Sequence, residues 1–245
     1  MNGTRPPKTA LLVAQRIVSE IAERGLGPGD PLLPEREMLA EYGVARGTLR
    51  EALRFLEMQN VISIKMGPGG GPVVSEISAR PIAGTIALMS QLRRTPFKDV
   101  LEARLVLEPA LAERAAARAS QEEIEAIQRS VETMKAHVED PRAFLDENHR
   151  FHSLIADAAG NDILGSYLGS LHWIIDATPL GADYTLPERR TVSRAHERIA
   201  NAIVARDGEA AASAMRSHVK NFQAYLERRH PEILEMPLRW DQSSW

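Results

Sequence analysis

The sequence predicts a mainly α-helical protein with an N-terminal winged helix-turn-helix, whose wing is a small β-hairpin, and a C-terminal all-α bundle. Residues 1–77 contain the only strand-like segment, two short apolar runs around a glycine-rich turn. From about residue 80 to 230, apolar residues recur at helical spacing between short breaks. A helix, two short helices and a hairpin, in that order, indicate the winged fold.

Composition narrows the functional classes. The 245 residues are 44% apolar and 26% charged, which is typical of a soluble globular protein. The absence of cysteine excludes a disulfide scaffold, a thiolate zinc finger and an iron–sulfur protein, so any metal must be held by histidine and oxygen ligands. No apolar run approaches the roughly 18 residues of a membrane span, and the N-terminus lacks the apolar core of a signal peptide. We therefore expect a cytoplasmic protein without a membrane partner.

The N-terminal elements follow from turn residues and periodicity. A first helix is expected from Thr9, and it ends at the glycine- and proline-rich segment 25–31. Short helices are expected from Glu35 to about Tyr42 and from about 46 to 58. Strands at 61–65 and 73–74 would flank a glycine-rich tip, which lacks the spacing of a phosphate-binding loop.

The remaining chain is expected to be helical. Helices are expected at about 81–93, 97–118, 121–139, 143–158, 162–175, 187–206 and 208–229. The predicted domains are a winged helix-turn-helix at 1–77, a linker and connecting helix at 78–96, a helical domain at 97–232 and a tail at 233–245. The tail has no periodicity, and both packing on the bundle and disorder remain open.

The second short helix has one cationic and one apolar face. Arg46, Arg50 and Arg54 recur every four residues, while three leucines of the same helix, at 49, 53 and 56, face inward. Such a helix fits the major groove of DNA, although a solvated charged face is the simpler alternative. The net charge is −3, and residues 1–77 hold nine basic and nine acidic residues, so binding would depend on a local patch. The residues expected to approach DNA are Arg36, Arg46, Gly47, Thr48, Arg50 and Lys65.

Three histidines are expected to lie close together. His196 and His218 lie eleven residues before and after Asp207. If the flanking helices form an antiparallel hairpin, the two residues would lie at the same height along the helix axes, on neighbouring helices. His152 lies one helical turn after Asn148, whose amide oxygen could be a fourth ligand. These four residues suit a divalent metal ion (Zn, Ni, Co or Mn) or another ligand, and ordinary core or solvated histidines are the alternative. Of the other histidines, 137 and 230 are expected to be exposed, and 149 to point away from these three. Residue 172 is expected to pack in the core, with the lining of a cavity as the alternative.

The segment from Pro28 to Leu56 resembles the winged-helix domain of GntR-family regulators. It aligns without a gap to the family pattern, through Pro28-Gly29-Asp30, Glu35-Arg36-Glu37 and the run from Tyr42 to Leu53. The resemblance implies DNA contacts at Arg36, Arg46, Thr48, Arg50 and the wing-tip Gly67. Departures are Leu33-Pro34 in place of Pro-Ser, Ala45 in place of a capping Ser, and Gly47 in place of a hydroxyl residue.

The helical half is similar to the FCD domain of the FadR-like GntR subgroup. The matching segments are Glu102-Ala103-Arg104 with Glu108, 148–152, 160–161, 195–197 and 214–218. The resemblance implies metal ligands at Asn148, His152, His196 and His218, and a small carboxylate effector whose cavity Arg104 faces. The departure is Asn148, where a carboxylate is frequent.

Two functions of different classes are compatible with these patterns. The first is a homodimeric transcription regulator, expected to be a repressor, that binds double-stranded operator DNA and senses a small organic acid. The alternative is a metal-dependent enzyme acting on a small carboxylate, with an accessory winged domain. The sequence has no HExxH motif, and no carboxylate has a recognisable spacing from the three histidines, so the regulator is favoured.

Overall fold

The computed structural model describes residues 9–67, 70–176 and 184–240. The chain forms two compact units, residues 1–81 and 82–245. It is mainly α-helical with one two-stranded antiparallel sheet, which confirms the predicted fold class. The finer division into four segments stays a prediction.

The first unit is a winged helix-turn-helix. Its elements are α1 (Thr9–Glu23), α2 (Glu35–Tyr42), α3 (Arg46–Met58), β1 (Ile62–Lys65) and β2 (Gly71–Val74). In the hairpin Ile62 pairs with Val74, and Lys65 with Gly71. The apolar faces of α1 and α3 form one core cluster with Met38 and Ile62. Burying these faces leaves the other side of α3 at the surface.

The turn between α2 and α3 is set by its cap residues. Gly43 adopts a left-handed conformation, with φ of 62°, and its N–H donates to the Leu39 carbonyl. Glycine adopts this conformation without the penalty that a Cβ imposes. Ala45, at the N-cap of α3, makes no side-chain capping bond, as expected from the loss of the serine hydroxyl.

The second unit is a helical bundle. Its elements are α4 (Arg80–Arg93, which begins within the first unit), α5 (Lys98–Arg118), α6 (Gln121–Ala136), α7 (Pro141–Ala158), α8 (Asp162–Asp176), α9 (Leu186–Val204), α10 (Gly208–Arg229) and α11 (Pro231–Glu235). Helix α5 packs against α7, α8, α9 and α10. It therefore lies at the centre of the bundle, and side chains from these helices can converge on it.

Caps account for the helix boundaries that differ from those predicted. The helix expected at 121–139 ends at Ala136, and the next begins at Pro141 instead of 143. Asp140 accepts the N–H groups of Arg142 and Ala143, so it caps α7 and shortens the loop. Asp207 caps α10 through the N–H of Ala210, which sets the turn between the two histidine-bearing helices.

The C-terminal tail packs on the bundle as far as residue 240. The Phe97 N–H donates to the Met236 carbonyl at 2.9 Å, and the Leu238 N–H to the Thr95 carbonyl at 3.0 Å. Leu238 is buried in a cluster with Phe97 and Leu101. Of the two options left open, packing therefore holds for the described part of the tail; residues 241–245 lie outside it. Among the described residues, no helix is long and apolar enough to cross a membrane.

Candidate functional site

Helix α3 presents its two predicted DNA-reading arginines to solvent. The side chains of Arg46 and Arg50 are 69% and 65% exposed. Their Nε atoms lie 3.3 and 3.4 Å from the same oxygen, Oε1 of Glu35 at the start of α2. One carboxylate thus bridges two cations that would otherwise repel each other one turn apart. The sequence did not predict this role of Glu35, because no spacing rule relates residues on two helices that meet across a turn.

The other predicted DNA contacts lie on the same unit. Arg36 and Gly47 are exposed, whereas Thr48 is half-buried. Arg54 is also exposed, one turn after Arg50 on α3. The exposed hydrogen-bonding groups of this helix can therefore meet phosphates or base edges without unfolding.

Two glycines that flank the wing tip have a defined geometry. Gly67 has a φ of 102°, and the Gly70 N–H donates to its carbonyl at 2.9 Å. A Cβ at Gly70 would lie 2.3 Å from the Lys65 carbonyl oxygen, so only glycine fits there. Lys65 is exposed at the end of β1; residues 68–69 lie outside the described chain.

Three histidines converge in the core of the helical unit. His152 on α7, His196 on α9 and His218 on α10 are all buried. The Nε2 atom of His218 lies 3.4 Å from that of His196 and 3.3 Å from that of His152. The equal distances of residues 196 and 218 from the interhelical turn predicted the proximity of these two rings, and the structure also brings His152, the third predicted member, to them.

Burial keeps imidazoles of this cluster neutral. It lowers the pKa of His218 to about 3, with a further contribution from the neighbouring His152. Burial, together with the neighbouring rings of His218 and His152, likewise holds the pKa of His196 well below its usual range. Neutral imidazoles retain the lone pairs that bind metal ions.

The nitrogen separations fit a metal centre. Two nitrogens bound to one tetrahedral zinc ion, each at about 2.0–2.1 Å, are about 3.3–3.4 Å apart. The two measured Nε2 separations, 3.4 and 3.3 Å, match that value. Asn148, the fourth predicted ligand, is half-buried on α7, one turn before His152. The three histidines therefore fit a divalent cation.

A buried carboxylate adjoins the trio. Glu108 on α5 is 1% exposed, and its Oε2 lies 2.7 Å from Nδ1 of His152. Its Oε1 is paired with Arg104 and lies 3.5 Å from Nε2 of His172. Burial alone would raise the pKa of Glu108, but Arg104 and His152 outweigh burial and hold it well below its usual range. From the sequence, Glu108 had no assigned role, and His172 was expected to pack in the core or to line a cavity; in the structure both belong to this network.

A cavity of about 300 Å³ reaches the trio. His218 lies in its wall, so one ring joins the histidine cluster and the cavity. The remaining lining side chains are Tyr184, Glu188, Thr191, Val192, Ala195, Asn221, Phe222, Ala224, Tyr225 and Arg228. Arg104 was expected to face an effector cavity, but it does not line this cavity. Its guanidinium carbon lies 5.4 Å from the ring centroid of Phe222, and Phe222 lines the cavity. The cavity combines an aromatic wall with a few polar groups, as small-molecule sites do.

The remaining histidines lie outside the trio. His137 is exposed and His230 is half-buried. His149 stacks on His172 with ring centroids 6.4 Å apart, so it lies beside the network.

Comparison with known proteins relates both units to bacterial regulators. The model of the FCD domain matches residues 99–221, and the model described as bacterial regulatory proteins, gntR family, matches residues 9–71. The HTH-type transcriptional repressor NanR of Escherichia coli K12 is 30% identical over 229 residues, covering 89% of this chain and 84% of its own. NanR of Cronobacter sakazakii is 28% identical over 236 residues, which cover 89% of this chain and 86% of its own length. The solved structure of Streptococcus agalactiae GntR is 27% identical with a TM-score of 0.71, covering 88% of this chain and 99% of its own.

Proposed function

Because the chain belongs to the gntR family of bacterial regulatory proteins and carries an FCD domain, we propose that it is a transcriptional repressor that binds operator DNA and responds to a small organic acid. Repression is taken from its relatives, which are named transcriptional repressors. The family consists of regulators, so the enzyme alternative is set aside.

The observation that carries the DNA-binding part is the exposed pair Arg46 and Arg50 on α3. Guanidinium groups donate pairs of hydrogen bonds to guanine edges or to phosphates. Glu35 holds the pair in the absence of DNA, and phosphates or guanines would replace its single carboxylate. Arg36, Lys65 and the backbone at Gly67 add contacts to the flanking sugar–phosphate chain.

The sensing part rests on the buried trio and the cavity that reaches it. His152, His196 and His218, with the amide oxygen of Asn148, would hold one divalent ion: Zn, Ni, Co or Mn. Such an ion supplies a Lewis-acidic position at which a carboxylate oxygen can bind. Asn148 brings no negative charge, so the bound ion stays more cationic than with an aspartate, and an anionic effector would complete its coordination.

Coupling between effector and DNA requires a difference in affinity. The effector must bind the DNA-free and DNA-bound forms unequally, because otherwise it shifts no equilibrium. A homodimer bound to an inverted repeat would place two α3 helices in successive major grooves.

Selection of DNA from a random duplex pool tests this function. The full-length protein is incubated with the pool at fixed salt, and bound sequences are enriched over several rounds. We expect an inverted repeat that binds wild-type protein and loses affinity with Arg50→Ala, whereas Arg24→Ala, which removes an exposed arginine outside the motif, retains it. A pool that stays random contradicts the proposal. Release of the selected duplex by one member of a panel of small carboxylates then identifies the effector.

A further inference from the structure

We propose that Glu108 is a positioning residue for the histidine trio: it accepts the Nδ1–H of His152 and so directs the Nε2 lone pair of that ring towards His196 and His218. This inference rests on the proposed metal centre and deepens it. The observation behind it is the 2.7 Å separation between Oε2 of Glu108 and Nδ1 of His152, both side chains being buried.

The ring geometry explains why a tautomer must be selected. A neutral imidazole carries one proton, on either Nδ1 or Nε2, and only the unprotonated nitrogen can bind a metal ion. The Nε2 atom of His152 faces His218 at 3.3 Å, so a proton there would block the site. A carboxylate at Nδ1 retains the proton on the far side of the ring.

Glu108 is held in place by a second buried side chain. Arg104, one helical turn earlier on α5, pairs with Oε1 of Glu108 and leaves Oε2 for His152. The two oxygens therefore serve different partners. Helix α5 contributes none of the three histidines, yet its position at the centre of the bundle brings this carboxylate against the ring on α7.

The other two histidines have different environments. The ring of His196 is stacked on Phe151 with centroids 4.0 Å apart. His218 lies at the cavity wall. Within the trio, His152 is thus the ring whose tautomer a buried carboxylate sets. Loss of Glu108 acts on metal affinity through His152.

Zinc affinity of the metal-free, full-length protein tests the proposal. Dissociation constants are measured by chelator competition for wild type, Glu108→Gln and Glu113→Gln, the last being the same change at an exposed position of α5. We expect Glu108→Gln to bind Zn²⁺ about 10–100-fold more weakly, the usual effect of removing such a partner. Glu113→Gln should bind as wild type does.

One further measurement separates positioning from a purely structural role. In ¹⁵N spectra of the metal-free protein, His152 should carry its proton on Nδ1 in wild type and populate the Nε2–H form in Glu108→Gln. The same tautomer of His152 in wild type and in folded Glu108→Gln would show that the carboxylate does not position this ring and would overturn the proposal.

A second variant is needed if Glu108→Gln does not fold. Glu108→Gln leaves the Arg104 cation without its carboxylate, so if this variant shows no cooperative thermal transition, the double variant Arg104→Met/Glu108→Gln replaces it and is compared with Arg104→Met. Zn²⁺ affinity equal to wild type in Glu108→Gln overturns this inference alone. Absence of Zn²⁺ uptake by wild type overturns the proposed metal centre, and this inference with it.

Discussion

His196 illustrates how single residues of the trio are held by different forces. Its ring is stacked on Phe151 with an interplanar angle of 11°, and both side chains are buried. Nδ1 of His152 instead lies 2.7 Å from the Glu108 carboxylate. Ring packing at one histidine and a carboxylate contact at the other can thus be removed separately.

Replacement of His196 by alanine should abolish metal uptake and leave DNA binding intact. The loss should exceed about 100-fold in affinity, because removal of an outer partner alone costs about 10–100-fold. Metal content after dialysis and affinity for the selected duplex are the measurements. His137→Ala, which removes an exposed histidine, is the control. Unchanged metal content in His196→Ala would contradict the metal centre.

At the level of elements, the ends of the helices determine where functional side chains lie. The left-handed Gly43 ends α2, and the extended Ala45 begins α3 without a capping bond. Asp207 begins α10 and so sets the register between His196 and His218. The termini therefore contribute both to stability and to the geometry of the two candidate sites.

Restoring the missing cap should stabilise α3. Ala45 has φ of −68° and ψ of 149°, the conformation in which a serine hydroxyl accepts an N–H of the first turn. Ala45→Ser should therefore stabilise the helix by about 0.5–1 kcal/mol. Amide hydrogen exchange in α3 measures this gain. The same change inside α2, Ala40→Ser, should destabilise that helix, because serine is a poorer helix former than alanine. Faster exchange in Ala45→Ser would contradict the capping argument.

The tail should contribute to the stability of the bundle. Leu238 is 6% exposed, so Leu238→Ala should lower the free energy of unfolding by about 2–5 kcal/mol. Leu92→Ala, at a leucine that is 79% exposed, should change it by less than about 0.5 kcal/mol. Urea denaturation followed by circular dichroism compares the two. Equal midpoints would show that the tail does not pack in solution.

The net charge of the whole protein limits its long-range attraction to DNA. The net charge is −3, and the first 77 residues are neutral overall, so long-range attraction to the duplex is weak. Affinity for DNA must therefore come from the cationic face of α3, and from the simultaneous binding of two such faces to one duplex. A two-fold dimer on an inverted repeat supplies the second face.

Native mass spectrometry of the untagged protein tests this assembly. We expect a dimer that carries about one metal ion per chain, the stoichiometry of one histidine trio in each helical unit. A bound small acid would appear as additional mass that a chelator removes together with the metal. A monomer at concentrations that support DNA binding would contradict the dimer, and a metal-free dimer would contradict the metal centre alone.

Local patterns in the sequence determined the fold class and much of the candidate sites. Helical periodicity, glycine turns and the hairpin pattern predicted the winged unit and the bundle, because these signals arise between residues close in the chain. The proximity of His196 and His218 followed from their equal separation in sequence from one interhelical turn. Helix boundaries at α6 and α7 were wrong by two or three residues, because the cap at Asp140 was not anticipated.

Contacts between distant segments were decided only by the tertiary structure. Glu35 bridges the arginines of another helix, Glu108 meets a histidine 44 positions later, and the tail packs against Phe97 from across the chain. No spacing within one helix encodes such pairs, since they depend on how helix faces pack in the core. The sequence by itself determined which residue types were available and on which face of each helix they lie; packing decided which of them meet.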